Sequence, residues 1–72
     1  MKGTGRVQIR LNGDAKEVGE GTTLQGLVEQ LALAPERLAV ELNREVVRRA
    51  DWRAVVLSEG DRVEIVHFVG GG

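Results

Sequence analysis

RVQIRLNGDAKEV, residues Arg6 to Val18, decides how the rest of the chain is read. Val7, Ile9 and Leu11 alternate with Arg6, Gln8 and Arg10. Successive side chains of a strand point to opposite faces, so this period of two predicts a half-buried strand over Arg6–Leu11. Asn12-Gly13 comes next, and both residues tolerate the positive φ of a type I′ hairpin turn. Asp14 to Val18 is then the returning strand, broken by Gly19-Glu20-Gly21.

Beyond that hairpin the period changes. Leu24, Leu27, Val28 and Leu31 fall at i, i+3, i+4 and i+7, one apolar stripe of a helix. Thr22 and Gln25 fit a capping box, in which hydroxyl and amide satisfy the orphan donors of the first turn. Gly26 inside the helix costs about 1 kcal/mol relative to alanine, and close approach to a sheet would account for it. Pro35 bars continuation soon after Leu33. Leu38, Val40 and Leu42 alternate with Ala39, Glu41 and Asn43, a third strand. Asn43-Arg44-Glu45 reads as a turn and Val46-Val47 as a short return. Asp51 is placed to cap a helical turn through Trp52, Val55 and Val56, with Leu57 packing after it. Ser58-Glu59-Gly60-Asp61 is a turn. In the last strand Val63, Ile65, His67 and Val69 share one face, and Arg62, Glu64, Val66 and Phe68 the other.

Strand, strand, helix, strand, short strand, strand is an α+β order. It predicts a mixed sheet of four to five strands with one main helix packed on one face, the β-grasp arrangement. The last strand is expected in the centre beside the first, because it is the most apolar and fills the gap between the hairpins. Residues 1–69 form that domain on this reading, and residues 70–72 a flexible C-terminal glycine arm.

The arm is the one reactive feature. Gly70-Gly71-Gly72 follows an apolar strand with no turn residue between, and Gly72 closes the sequence. An arm without Cβ atoms can thread a narrow channel and adopt φ values other residues avoid. Its terminal carboxylate, with a pKa of about 3.5, is an inert anion at neutral pH. Adenylation by ATP turns one oxygen into a leaving group, and sulfide or persulfide attack then gives a thiocarboxylate.

Composition narrows the alternatives. With no cysteine, the chain has no disulfide, no thiolate catalysis and no persulfide of its own, so sulfur could ride only on the terminal acyl group. A net charge of −1 offers no electrostatic reason to bind nucleic acid, and Trp52 and Phe68 are too few aromatics for base stacking. No long apolar run or signal pattern implies a membrane span or secretion, which leaves the cytoplasm as the expected compartment. Gly3-x-Gly5 and Gly19-x-Gly21 lack the third glycine of a dinucleotide loop, and no P-loop is present, so ATP must be bound by a partner. No metal ligand set and no catalytic residue is expected. Ser58 is explained by local turn bonding, His67 as a sheet residue, and Arg48-Arg49 as solvated surface. Phe68, with Val66, carries two open readings: ordinary packing under a loop, with Trp52 as one candidate partner, or a docking patch for an activating enzyme, to which Val69 would also belong.

Leu42-Asn43, Val46-Val47, Arg49, Trp52, Leu57, the run Gly60-Asp61-Arg62-Val63-Glu64-Ile65-Val66 and the ending Val69-Gly70-Gly71-Gly72 resemble the ThiS family. These are ubiquitin-like β-grasp sulfur carriers of thiazole synthesis in thiamine biosynthesis, and the likeness covers nearly the whole chain. The resemblance implies a protein co-substrate and not an enzyme. Gly72 would be adenylated by a ThiF-type, E1-like adenylyltransferase using ATP and magnesium, then carry the thiocarboxylate to thiazole synthase of the ThiG type. A cysteine desulfurase or related persulfide carrier would supply the sulfur. Gly71 would complete the arm, and Gly70 departs from a strict two-glycine ending. The small subunit of molybdopterin synthase shares this chemistry but typically has Pro-Pro before its tail, where this chain has His67-Phe68-Val69. A carrier for another sulfur metabolite, a protein-tagging modifier and a non-catalytic β-grasp interaction module are the remaining alternatives.

Overall fold

The computed structural model describes residues 5–68. Five strands form one mixed sheet: β1 (Arg6–Leu11), β2 (Asp14–Gly19), β3 (Leu38–Leu42), β4 (Glu45–Val47) and β5 (Arg62–His67), in the spatial order β2-β1-β5-β3-β4. Among the described residues one α-helix, α1 (Leu24–Leu31), is joined by two 3₁₀ helices at Pro35–Arg37 and Arg49–Ala54. The last strand lies in the centre, as its apolar character predicted. It runs parallel to β1 and antiparallel to β3.

The β1–β2 hairpin follows its sequence pattern. Arg6 pairs with Gly19 and Leu11 with Asp14, which leaves Asn12-Gly13 as a two-residue loop. Positive φ at both, 52° and 90°, matches the type I′ geometry that suits the right-handed twist of the strands. The second hairpin uses the same turn with less favourable residues. Leu42 pairs with Glu45, so Glu45 belongs to β4 and not to the turn. Asn43 and Arg44 have φ of 52° and 75°.

The core lies between the sheet and α1. Ile9, Val18, Val40 and Val63 from the strands meet Leu24, Leu27 and Val28 of the helix stripe, with Trp52 and Leu57 closing the layer. The Trp52 indole N–H donates to the Val47 carbonyl at 2.9 Å, so a wholly buried ring leaves no orphan donor.

Three local expectations are corrected. The N-cap of α1 is Thr23, whose hydroxyl accepts from the Gly26 N–H at 3.0 Å, and not Thr22. Thr22 instead donates its hydroxyl to the Gly19 carbonyl at 2.6 Å, and Gln25 donates to Glu29 one turn on. Long-range pairing explains the shift. The Leu24 N–H binds the Val55 carbonyl and the Thr22 carbonyl accepts from Leu57, so residues 22–24 are held against residues 55–57 and the helix starts later. That same pairing ends the second 3₁₀ helix at Ala54. Val55 and Val56 lie outside it, and Asp51 sits within it and does not cap it. Gly26, finally, does not serve close sheet packing. A Cβ there would meet only Thr23 and Thr22 side-chain atoms, at 3.5 and 3.6 Å, an ordinary contact.

Candidate functional site

The end of β5 is the part of the structure that leads, in sequence, to the expected glycine arm. Gly70, Gly71 and Gly72, together with Val69, lie outside the described residues, and so does the expected boundary between residues 69 and 70. What the structure describes is how firmly the chain is held up to Phe68.

β5 is bonded along both edges through its first half. The Arg10 N–H binds the Asp61 carbonyl at 2.9 Å and the Asn12 N–H binds the Val63 carbonyl at 2.8 Å. On the other side Ala39 pairs with Val66 and Leu38 with His67. The Phe68 N–H continues this ladder to the Arg37 carbonyl at 2.8 Å. The two turn asparagines brace the strand as well. Asn12 Oδ1 accepts from the Ile65 N–H at 2.8 Å. Asn43 Oδ1 accepts from the Arg62 N–H at 2.9 Å, while Asn43 Nδ2 donates to Asp61 at 3.0 Å. Each asparagine thus ends a hairpin with its backbone and holds the central strand with its side chain.

The Ser58–Asp61 turn that launches β5 is fixed in the same way. Asp61 Oδ2 accepts from the Ser58 backbone N–H at 2.8 Å, and the Asp61 N–H donates to the Ser58 carbonyl at 3.0 Å. Gly60, at φ 84°, donates its N–H to the Gln8 carbonyl, and Glu59 accepts from the Gln8 N–H. These contacts lock the strand's start to β1.

Sequence reasoning saw the two asparagines as turn formers only. The bracing itself depends on a register that local pattern does not reveal.

The outer face of β5 changes character along its length. Arg62 and Glu64 open it, with Arg10 and Glu41 as their neighbours in the register. Val66 and Phe68 close it, 55% and 56% exposed. Phe68 therefore does not pack with Trp52, which is buried in the core; of the two readings of this patch, packing against that ring is corrected. His67, on the opposite face, is exposed. Arg48 and Arg49 are exposed and line a groove of about 740 Å³ with Arg53, Glu29 and Glu36. Among the described residues no group of three or more His, Cys, Asp or Glu is gathered as a metal site. No helix there is long and apolar enough to cross a membrane.

Comparison with known proteins places this geometry. The family model described as "ThiS family" matches residues 9–72, from the middle of β1 through β5 to the final glycine. The chain belongs to the ThiS family. Its similarity extends to the sulfur carrier protein ThiS of Bacillus subtilis, 38% identical over 89% of this chain and 98% of that one. It is also similar to the ThiS thiamine biosynthesis protein of Geobacter metallireducens, whose crystal structure superposes with a TM-score of 0.79. That protein is 35% identical, over 92% of this chain and all of the other. The fold is thus the ubiquitin-like β-grasp of that family. A thiazole synthase of Magnetococcus marinus is 52% identical over 92% of this chain, but the chain spans only 20% of that relative's length.

Proposed function

We propose that this chain is a sulfur carrier for thiazole synthesis, with the Gly72 α-carboxylate as the acyl group that carries the sulfur. A ThiF-type adenylyltransferase activates it. The carboxylate oxygen attacks the α-phosphorus of ATP, pyrophosphate leaves, and an acyl-adenylate forms. The terminal sulfur of a persulfide, on a cysteine desulfurase or related persulfide carrier, attacks the acyl carbon and displaces AMP. A thiol then cleaves the resulting acyl disulfide, forming a disulfide with the donor's cysteine and leaving the thiocarboxylate on Gly72. The thiocarboxylate is a soft anion, and thiazole synthase takes its sulfur. ATP and magnesium belong to the adenylyltransferase, and this chain acts as a recycled co-substrate.

Membership of the ThiS family over a match that reaches Gly72 carries this reading. The end of β5 supports it. Phe68 is hydrogen-bonded into the sheet, so the four residues that follow start from a fixed origin and extend at most about 14 Å. That is enough to carry a carboxylate into a partner's active site while the domain stays outside. Ordering three glycines costs roughly 1–2 kcal/mol each, which contacts to the arm and the domain must offset. Val66, Phe68 and Val69 are the proposed apolar docking patch beside the arm, with Gly70 and Gly71 as its threading segment. Thiazole synthase as the receiving partner is supported by the likeness to the Magnetococcus thiazole synthase.

The test is an intact mass. The 72-residue chain is incubated with a ThiF-type enzyme, ATP, magnesium and a sulfur donor. One oxygen should be replaced by one sulfur, localised to Gly72 by fragmentation. One residue appended after Gly72 should abolish the exchange without changing the fold. An unchanged mass with active partners would overturn the proposal and favour a plain interaction module; exchange in the extended chain would overturn Gly72 as the required acyl carrier.

A further inference from the structure

The β1–β5 pairing ends early, and among the described residues this leaves a lane open along the second half of β5. In an antiparallel ladder, alternate residues turn both backbone groups toward the same neighbour. Phe68 donates to Arg37, and Arg62 accepts from Asn43. Arg62, Glu64, Val66 and Phe68 therefore face β3, while Val63, Ile65 and His67 face the β1 side. On that side the Val63 carbonyl takes the Asn12 N–H and the Ile65 N–H takes the Asn12 side chain. Beyond them β1 has already turned back at Asn12-Gly13. The Ile65 carbonyl and both backbone groups of His67 take no partner among the described residues.

Exposed edges invite pairing, and proteins blunt those that should stay free. The two outer edges here are blunted. β2 turns Asp14 and Lys16 toward the helix side, opposite Leu11 and Ile9. β4 is only three residues long. The open edge of β5 has neither protection. It is flanked by exposed Val66 and Phe68, and it leads directly into residues 69–72.

We propose that this lane receives an extended segment of the adenylating enzyme as an added strand. The inference rests on the carrier reading above. The incoming backbone accepts from the His67 N–H and donates to the Ile65 and His67 carbonyls. One of its alternating apolar side chains lies over Val66 and Phe68. Main-chain bonds supply affinity and the apolar contact supplies selectivity, as in other strand-addition complexes. The enzyme that must position Gly72 thereby grips the strand from which Gly72 hangs.

Amide exchange of the complete chain tests this, free and saturated with a ThiF-type adenylyltransferase in the absence of ATP. The His67 amide should exchange at least tenfold more slowly in the complex. Val66 and Phe68, already bonded to the β3 side, should change far less. A synthetic chain N-methylated only at His67 loses one donor that the sheet does not use. It should keep its fold by NMR and bind the enzyme at least tenfold more weakly. If the complex forms and sulfur is loaded, yet the His67 amide is unprotected and N-methylation leaves binding unchanged, the strand-addition proposal is overturned and the carrier reading stands. If no complex forms and no mass change appears, both are overturned.

Discussion

Asn43 sits at φ 52° and also holds the start of β5 through two side-chain hydrogen bonds. Glycine would keep the turn geometry and remove only the bracing. Asn43→Gly should therefore lower stability by about 1–2 kcal/mol in urea unfolding, the loss of two partly exposed hydrogen bonds. An unchanged midpoint would show that water replaces them fully. Arg44 beside it poses the opposite case. Its φ of 75° is strained for a residue with a Cβ, and Asn-Gly is the favoured pair for this turn. Arg44→Gly should raise stability by about 1 kcal/mol, measured in the same way. Ala32, the left-handed C-cap of α1 at φ 58°, follows the same logic.

At the scale of the element, β5 has an inner face that belongs to the fold and an outer end that does not. Val63 is wholly buried, whereas Val66 and Phe68 are more than half exposed. Replacing both with serine should leave the unfolding midpoint within about 0.5 kcal/mol, as for surface changes generally. The same double variant should slow adenylation of Gly72 at limiting carrier and leave the rate at saturation nearly unchanged. Equal loss at saturation would place these side chains in the chemistry and not in docking. In α1 the apolar stripe packs as its spacing dictates, but Gly26 has no packing partner that needs it. Gly26→Ala should stabilise the helix by up to about 1 kcal/mol, read from thermal unfolding with the φ of the site left in the helical range.

The whole molecule has a thin core, and this sets what it can tolerate. At about 0.05–0.15 kcal/mol per residue, a domain of 72 residues has only about 4–11 kcal/mol of stability. Trp52 is its largest wholly buried side chain, and its N–H satisfies the Val47 carbonyl. Trp52→Ala should cost about 3–5 kcal/mol and leave a substantial unfolded fraction at room temperature, seen as lost amide dispersion. A near-native spectrum would mean that α1 collapses onto the sheet without it. The same thinness fits the division of labour proposed for the chain, since so small a domain has room for a handle and little room to bury a catalytic site of its own.

Strand alternation, the Asn12-Gly13 turn and the helix stripe were all legible in the residues, because each is a local pattern with one economical physical meaning. The central place of β5 was legible too, from its apolar content. Local pattern failed where a distant segment competed. Thr22 and Gln25 form a sound capping box until residues 55–57 claim the Thr22 carbonyl and the Leu24 N–H, and then Thr23 becomes the cap. Likewise nothing near Asn12 announces that its side chain will end the β1–β5 pairing at Ile65 and leave the lane beyond it open. Sequence alone determined which segments become strands and helix. Only tertiary structure decided which backbone groups remain unpaired, because hydrogen bonds between distant strands depend on register, and register is set by packing the whole sheet against the helix.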